Sequence, residues 1–202
     1  MMMNKLQPYF DLFYDPPRRQ EKLKNRRKLT LVLDLDETLV HSCQIPKPNL
    51  KYDMTVKCTI QKIETLFYVY KRPYVDQFLK QASKWFNIVI FTSSLQVYAD
   101  PIIDFLDPNQ QVKERLFRES CEQLAGNWIK DLSVLFTRFD RCVIVDNSPV
   151  AFTRNWENGI PIRTWDGDPL DKELKKLLTF LDGLRSLRDV RHILKFRSLS
   201  YN

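Results

Sequence analysis

Residues 31–40 read LVLDLDETLV, an apolar run that is interrupted by two aspartates with one leucine between them. The overlapping stretch 29–35 (LTLVLDL) lacks polar alternation, which predicts a strand buried on both faces. Side chains two positions apart on an extended chain project to the same side, so Asp34 and Asp36 face one site while Leu35 faces the core. Buried carboxylates are costly unless a partner neutralises them. The stretch therefore predicts a central strand that ends in a functional site.

Two later apolar runs, residues 87–92 (NIVIFT) and 141–147 (RCVIVDN), predict further strands of the same sheet. Helical segments are predicted from Pro73 onwards, after the second strand to about Leu106, and over Leu170–Leu184, where leucine recurs at helical spacing. Buried strands that alternate with helices predict an α/β domain with a central parallel sheet.

One segment departs from this alternation. Residues 55–70 (TVKCTIQKIETLFYVY) are rich in β-forming residues and have a polar break at QKIE. This pattern predicts a β-hairpin inserted after the first strand.

Polar residues follow all three predicted strands. Asp34 and Asp36 end the first, Thr92 and Ser93 the second, and the pair Asp146–Asn147 the third. Ligands of open α/β sheets bind beyond the carboxyl ends of the strands, so these groups are expected to converge. Their oxygens suit Mg²⁺, and a carboxylate beside that ion and a phosphate can act as a nucleophile. The alternative is that they cap helices, but one cap does not need two carboxylates.

The composition bounds the class of protein. The chain has 202 residues, of which 44% are hydrophobic and 28% charged, as expected for one soluble domain. No stretch approaches a membrane span of roughly 18 apolar residues, and no signal peptide is evident. The cysteines are widely spaced, which favours reduced thiols in a nuclear or cytoplasmic compartment over a zinc site or a disulfide scaffold. They are Cys43, Cys58, Cys121 and Cys142.

The net charge of +7 is concentrated at the start of the chain. Residues 1–28 hold eight lysines or arginines and three acidic residues, with RRQEKLKNRRK at 18–28. This basic N-terminal arm is interpreted either as a localisation or partner-recruiting segment or as a solvated, partly helical lead-in. Because the rest of the chain is nearly neutral, no direct nucleic-acid binding is expected.

The motifs resemble those of the haloacid dehalogenase (HAD) superfamily, and specifically its small C-terminal-domain phosphatase and Dullard-type branch. The resemblance covers residues 29–195, which we take as the HAD-like domain, with 196–202 as a C-terminal tail. It implies a HAD-like Rossmannoid fold with a small β-hairpin cap. The matching stretches are DLDETLVHS (34–42), YKRPYVDQFL (70–79), VIFTSSLQVYADP (89–101), RLFRESC (115–121), WIKDLSVL (128–135) and VIVDNSP (143–149).

The resemblance implies a role for each matching residue in a Mg²⁺-dependent protein serine/threonine phosphatase. Asp34 matches the nucleophile that forms an aspartyl-phosphate, and Asp36 matches the general acid and base. Thr92 and Lys130 match the residues that bind the phosphoryl oxygens. The remaining implied residues are the Mg²⁺ ligands Asp34, Asp36 (through its backbone carbonyl) and Asn147, with Asp146 in support, and the substrate contacts Arg118 and Ser93.

The substrate is left open between two subfamilies. RLFRESC and YADP resemble phosphatases that act on the C-terminal repeats of RNA polymerase II, whereas IKDLSV and the tail LRSLRDVRHIL resemble Dullard-type phosphatases that act on lipin. An apolar substrate pocket of the first group is expected here near Gln44, Cys58, Ile60, Phe67 and Leu95. Gln44 stands where those relatives carry an aromatic ring.

A different class of function is a catalytically inactive binding module with the same fold. The presence of every catalytic motif residue argues against it. We expect a monomer that acts on phosphorylated protein in the nucleus or cytoplasm, with association with the nuclear envelope through a partner.

Overall fold

The computed structural model describes residues 27–48, 50–135 and 138–195. Most of the basic arm (1–26) and the C-terminal tail (196–202) therefore lie outside the described residues. The strands within the described ranges are β1 (Leu29–Leu33), β2 (Val40–Cys43), β3 (Met54–Ile60), β4 (Ile63–Lys71), β5 (Phe86–Phe91), β6 (Val112–Leu116), β7 (Glu122–Leu124), β8 (Asn127–Ile129), β9 (Cys142–Asp146) and β10 (Gly159–Pro161).

Three longer helices and one short helix accompany the strands. They are α1 (Val75–Trp85), α2 (Gln96–Leu106), α3 (Glu173–Leu184) and α4 (Arg191–Leu194). Short 3₁₀ segments occupy Arg118–Ser120, Leu132–Leu135, Phe139–Arg141 and, across a kink, Pro149–Asn158. Across the described part of the chain, no helix has the length and apolarity that a membrane crossing requires.

The centre of the fold is a parallel sheet of five strands in the order β10-β9-β1-β5-β6. β1 is its middle strand, with Val32 opposite Val89 of β5 and Ile144 of β9. One face carries Leu31 and Leu33, and the other carries Val32, each in its own apolar cluster. The predicted α/β class and the strand buried on both faces are confirmed.

The predicted hairpin at 55–70 is confirmed as β3 and β4, which pair antiparallel. Gln61 and Lys62 form its turn with φ of 50° and 69°, the left-handed conformation that two-residue hairpin loops favour. β2 adds a third strand to this small sheet, in the order β2-β4-β3. This three-stranded unit, called the cap below, lies in the chain between β1 and α1.

The first strand ends two residues earlier than the sequence suggests. Asp34 N–H still donates to Val145 O at 3.0 Å, continuing the ladder. The chain then turns, because Leu39 N–H bonds back to Leu35 O at 2.9 Å and Glu37 takes φ of 59°. Asp36 therefore lies in this turn, beyond the carboxyl end of β1, and not on a continuation of the strand.

The four cysteines are free thiols in the structure. A second small hairpin, β7 and β8, turns at Ala125 and Gly126, both with positive φ. It ends at Ile129, directly before Lys130.

Candidate active site

A buried lysine lies between two buried aspartates at the carboxyl end of the sheet. Lys130 Nζ is 2.6 Å from Asp34 Oδ1 and 2.6 Å from Asp146 Oδ2. All three residues are at most 5% exposed. Asp34 follows β1 and Asp146 ends the neighbouring β9, so the sheet register sets the two carboxylates side by side. The lysine supplies the positive charge that the burial of these carboxylates requires.

The position of this lysine is fixed by backbone contacts. Its N–H donates to Ala151 O at 2.6 Å, which ties the end of β8 to the 3₁₀ segment that follows β9. Burial by itself lowers the pKa of Lys130, but the charges of Asp34 and Asp146 outweigh it and raise the pKa. Lys130 is therefore a permanent cation at the floor of the site.

The other oxygen of Asp34 is held from the turn that follows it. Thr38 Oγ1 donates to Asp34 Oδ2 at 2.7 Å and lies 3.4 Å from Asn147 Oδ1. Asn147 Nδ2 in turn donates to Thr164 Oγ1 at 3.2 Å, which leaves the amide oxygen on the side of Thr38. A carboxylate oxygen and an amide oxygen are thereby brought to one hydroxyl group.

Asp36 has a separate set of partners on the side of α2. Ser94 Oγ donates to Asp36 Oδ2 at 2.7 Å, and Tyr98 O–H donates to Asp36 Oδ1 at 2.5 Å. Burial raises the pKa of Asp36, opposed by the Tyr98 hydrogen bond and augmented by the charge of Asp34. A carboxyl group that holds its proton more tightly than usual is suited to work as an acid.

The two aspartates open onto one pocket of about 230 Å³. Six of the residues singled out in the sequence line it: Asp34, Asp36, Ser93, Lys130, Asp146 and Asn147. The other side of the pocket is formed by the β7–β8 hairpin, through Gly126, Asn127 and Trp128, and by the loop after β9. The convergence of three strand ends that the sequence suggests is thus present in the structure.

Thr92 and Arg118 lie next to this pocket without lining it. Thr92 is buried after β5, and its Oγ1 accepts a hydrogen bond from Ser94 N–H at 3.0 Å. Arg118 Nε donates to Ser93 O at 2.6 Å, and its guanidinium stacks 5.3 Å from the centre of the Trp128 ring. Arg118 therefore contacts two residues that do line the pocket.

The residues expected to form the apolar pocket are divided between the cap and α2. Cys58 is buried and Ile60 and Phe67 are partly buried on β3 and β4, where all three join the main apolar cluster. The Phe67 ring packs edge-on against Tyr98 with centroids 4.9 Å apart. Gln44 is exposed directly after β2, and Leu95 is partly buried at the start of α2. None of the five lines the pocket that contains Asp34.

Arg72 is a positioning residue that the sequence analysis did not single out. It is 1% exposed, and its Nε and Nη2 donate to the two carboxylate oxygens of Asp171 at 2.9 and 3.0 Å. Nη1 donates to Thr38 O at 3.0 Å, and Nη2 also donates to Arg163 O at 2.9 Å. The guanidinium thus anchors the turn that holds Asp34. Its place in the KRP stretch before α1 gives no sign of this partner 99 positions away.

Tyr98 is a second such residue. Its hydroxyl joins Asp36 to Ser42 Oγ, 2.7 Å away on β2. A signal was available in the sequence, because the YADP stretch that contains Tyr98 belongs to the motif with Thr92. The hydrogen bond itself depends on how α2 packs on the cap, which no local pattern specifies.

The donor set at this edge of the sheet fits Mg²⁺ by its chemistry. Asp34 and Asn147 offer oxygens to the same hydroxyl, and oxygen ligands are those that this ion takes. Among the described residues, no group of three or more His, Cys, Asp or Glu side chains is arranged around a metal position. The implied set is of a different kind, since it includes an amide and a backbone carbonyl. Both Asp146 oxygens already accept hydrogen bonds, from Lys130 and from Ser148 N–H.

Comparison with known proteins gives the same picture. The family model described as NLI interacting factor-like phosphatase matches residues 29–191. CTD nuclear envelope phosphatase 1 homolog of Drosophila melanogaster is 41% identical over 192 residues, which cover 92% of this chain and 79% of that protein. A probable C-terminal domain small phosphatase of Dictyostelium discoideum is 48% identical over 167 residues, covering 82% of this chain and 53% of that protein.

The solved structure of Fcp1, an essential RNA polymerase II CTD phosphatase, has the same fold with a TM-score of 0.59. At 21% identity it supports the fold alone, and the match covers 92% of this chain and 56% of that one. The matched family region contains the site residues described above, namely Asp34, Asp36, Lys130, Asp146 and Asn147. The chain belongs to the family of NLI interacting factor-like phosphatases and is a protein phosphatase.

Proposed function

We propose that this chain removes phosphate from phosphoserine and phosphothreonine in proteins by transferring it first to Asp34 and then to water. The observation that carries the proposal is the arrangement around Asp34. Its carboxylate is fixed by Lys130 on one oxygen and Thr38 on the other, at the floor of a pocket that Asp36 also lines. Phosphoryl transfer depends mainly on positioning and charge neutralisation, which this arrangement supplies.

The two aspartates divide the chemistry. An oxygen of Asp34 attacks phosphorus, and the bond from phosphorus to the serine or threonine oxygen breaks. Protonated Asp36 gives its proton to the leaving oxygen, so the alcohol departs neutral. Asp36 then accepts a proton from the water that attacks the phosphoaspartate, which regenerates both carboxyl groups and releases phosphate.

The surrounding residues stabilise charge on the phosphoryl group. Lys130 contributes its positive charge at the pocket floor. Ser93 lines the pocket after β5, and Thr92 and Arg118 lie next to Ser93, so these three residues are the further donors proposed for the phosphoryl oxygens. Asp34, the backbone carbonyl of Asp36 and Asn147 would hold Mg²⁺, with Asp146 keeping Lys130 in place. Bound Mg²⁺ supplies additional positive charge to the phosphoryl oxygens.

Two classes of phosphoprotein are candidate substrates for this activity. Relatives of this chain are named for the nuclear envelope and for the CTD, and on that basis we place its substrates among phosphoproteins of the nucleus or nuclear envelope. The polymerase repeats are the first candidate. Lipin-type proteins are the second candidate. They are favoured by the exposed Gln44, because it stands where polymerase-directed relatives carry an aromatic ring and so weakens the expected proline pocket.

The test is turnover of phosphopeptides by Asp34→Asn, with Asp104→Asn as the matched control because Asp104 is an exposed aspartate of α2. Asp34→Asn should lose turnover and the acid-stable phosphoprotein seen by mass spectrometry, while the control keeps both. Chelation of Mg²⁺ should silence the wild type, and added Mg²⁺ should restore it. Unchanged turnover by Asp34→Asn would refute the nucleophile. Phosphopeptide binding without turnover in the wild type would instead support an inactive binding module.

A further inference from the structure

A second pocket lies at the amino ends of the central strands, opposite the carboxyl ends that carry Asp34. Its volume is about 180 Å³, and its lining residues are Arg27, Lys28, Leu29, Lys84, Trp85, Arg141 and Arg185. Leu29 begins β1, Trp85 directly precedes β5 and Arg141 directly precedes β9, so the pocket is built on the amino ends of three adjacent parallel strands. Asp34 follows the other end of β1, about 16 Å away at roughly 3.3 Å per residue. This pocket, called the basal pocket below, is separate from the active site.

The basal pocket is strongly cationic. Five of its seven lining residues are lysine or arginine, and none of the seven is acidic. One of the lining cations also contacts a carboxylate, since Arg185 Nη1 donates to Asp182 Oδ1 at 2.6 Å. Several like charges around one small cavity repel one another and create a local potential that attracts an anion.

Its arginines are oriented before any ligand binds. Arg141 Nη1 donates to Leu187 O at 2.8 Å and Nη2 donates to Arg27 O at 2.7 Å. The Arg185 guanidinium lies 4.6 Å from the centre of the partly buried Trp85 ring. Lys28 Nζ donates to Ser83 O at 2.8 Å, near the end of α1. Side chains held in this way lose little conformational freedom on binding, which strengthens an ionic contact.

We propose that the basal pocket binds a phosphate-bearing anion. A phosphate carries up to two charges and several acceptor oxygens, which match clustered guanidinium and ammonium donors better than a single carboxylate does. The source of the phosphate is either a lipid headgroup or a soluble phosphate compound. In the sequence, residues 18–26 hold five lysines or arginines and one glutamate, so Arg27 and Lys28 end a basic stretch.

The binding test uses the indole N–H signals of Trp85 and Trp128 in NMR spectra of the full chain, titrated with inorganic phosphate. Trp85 reports on the basal pocket and Trp128 on the active site, so the two sites are read separately. Lys84→Glu removes an exposed lining cation from the last turn of α1, and Lys80→Glu makes the same charge change one turn earlier outside the lining. A charge-assisted contact accounts for about a tenfold change in affinity.

We expect a saturable shift of the Trp85 signal that weakens about tenfold in Lys84→Glu and little in Lys80→Glu. Neither variant should change hydrolysis of a small aryl phosphate, because neither residue lies at the active site. Lys84→Gln is the milder variant if charge reversal at the helix end prevents folding. A Trp85 signal that does not respond to phosphate, or equal weakening by the two charge reversals, would overturn the proposal.

Vesicle flotation then distinguishes the two sources. Phosphatidylcholine vesicles with added phosphatidic acid, which has a phosphate monoester headgroup, are compared with vesicles of phosphatidylcholine alone. Flotation that depends on phosphatidic acid and is lost more in Lys84→Glu than in Lys80→Glu identifies a lipid headgroup. A Trp85 response to free phosphate without such flotation identifies a soluble phosphate compound. Failure of both assays would overturn the site without affecting the proposed phosphatase chemistry.

Discussion

Replacement of Arg72 by methionine should destabilise the domain strongly, although the residue touches no substrate. Methionine fills much of the space of the arginine stem but cannot donate hydrogen bonds. The change leaves the buried Asp171 carboxylate without its bidentate partner. It also leaves the carbonyl oxygens of Thr38 and Arg163 without their guanidinium donors.

The expected magnitude follows from these losses. Breaking a buried ion pair by removing one partner costs about 3–5 kcal/mol, because the remaining charge stays buried. The pair is buried enough for this value to apply, since the Arg72 and Asp171 side chains are 0% and 5% exposed. A typical domain is stable by about 5–15 kcal/mol, so the variant should lose about a fifth or more of its stability.

The assay is urea unfolding followed by circular dichroism, with Arg154→Met as the matched control. Arg154 also forms a bidentate pair, with Glu122, but on the surface, so the control should leave the unfolding midpoint nearly unchanged. Arg72→Met combined with Asp171→Asn should recover part of the loss because the unpaired charge is removed. The reasoning is refuted if Arg72→Met costs less than about 1 kcal/mol, the usual contribution of an exposed pair.

Three further variants test the catalytic acid and substrate choice. Burial raises the pKa of Asp36, so the folded state binds this proton more tightly than the unfolded chain, and the ionised form lowers stability at pH values above the raised pKa. Asp36→Asn should therefore raise the melting temperature at neutral pH. The gain should shrink as the pH falls towards about 3.9, the ordinary pKa of an aspartate. A lower melting temperature at neutral pH would contradict this prediction. The same variant should lose about 10²–10⁴-fold in turnover. Tyr98→Phe keeps the ring contact with Phe67 but removes the hydrogen bond to Asp36, and a hydrogen bond to a charged group contributes about 1.5–3 kcal/mol. Because that bond stabilises the carboxylate that forms as Asp36 gives up its proton, the variant should slow single-turnover phosphorylation by phosphoserine about tenfold or more. The step with an aryl phosphate should slow less. Equal slowing for both substrates would argue against Asp36 as the acid. Gln44→Phe should raise kcat/KM about tenfold for a phosphopeptide with a proline beside the phosphoserine over one without it, and no change in that ratio would show that Gln44 does not border the proline site.

The site residues at the strand ends could be predicted from the sequence, because an apolar run and a polar residue occur next to each other there. The apolar run of β1 stops at Asp34, and that of β9 stops at Asp146 and Asn147, so the sequence shows both the strand and the polar group. In a parallel sheet, strands buried on both faces have few polar positions other than their ends. The carboxyl edge of the sheet was therefore accessible to sequence reasoning.

Several strands carry no such signal. β6 (VKERL) lies at the edge of the sheet with charged side chains in solvent, so its apolar pattern is weak. β10 has three residues, and β7 and β8 have three each, too few for any periodicity to develop. The buried position of Lys130 follows from that last hairpin, and without the family resemblance a lysine there would be taken for a surface residue.

The contacts of Arg72 and Tyr98 were inaccessible for a different reason. Each depends on packing between elements that are far apart in the chain, 99 positions for Arg72 with Asp171 and 62 for Tyr98 with Asp36. Neither residue has a neighbour in sequence that reveals its partner. Such hydrogen bonds are decided by tertiary packing after the elements themselves have formed.

The long sequence separation of the groups around Asp34 has a consequence for synthesis on the ribosome. Lys130 lies 96 positions after Asp34, and the carboxylate that anchors Arg72 comes later still, at Asp171. A nascent chain that has emerged only as far as the cap carries β1 without β5 or β9 to pair with it. Contacts of this range are slow to form and leave apolar strands exposed meanwhile. Phosphatase activity should therefore appear only after nearly the whole domain has left the ribosome, and truncated translation products should be inactive and depend on chaperones.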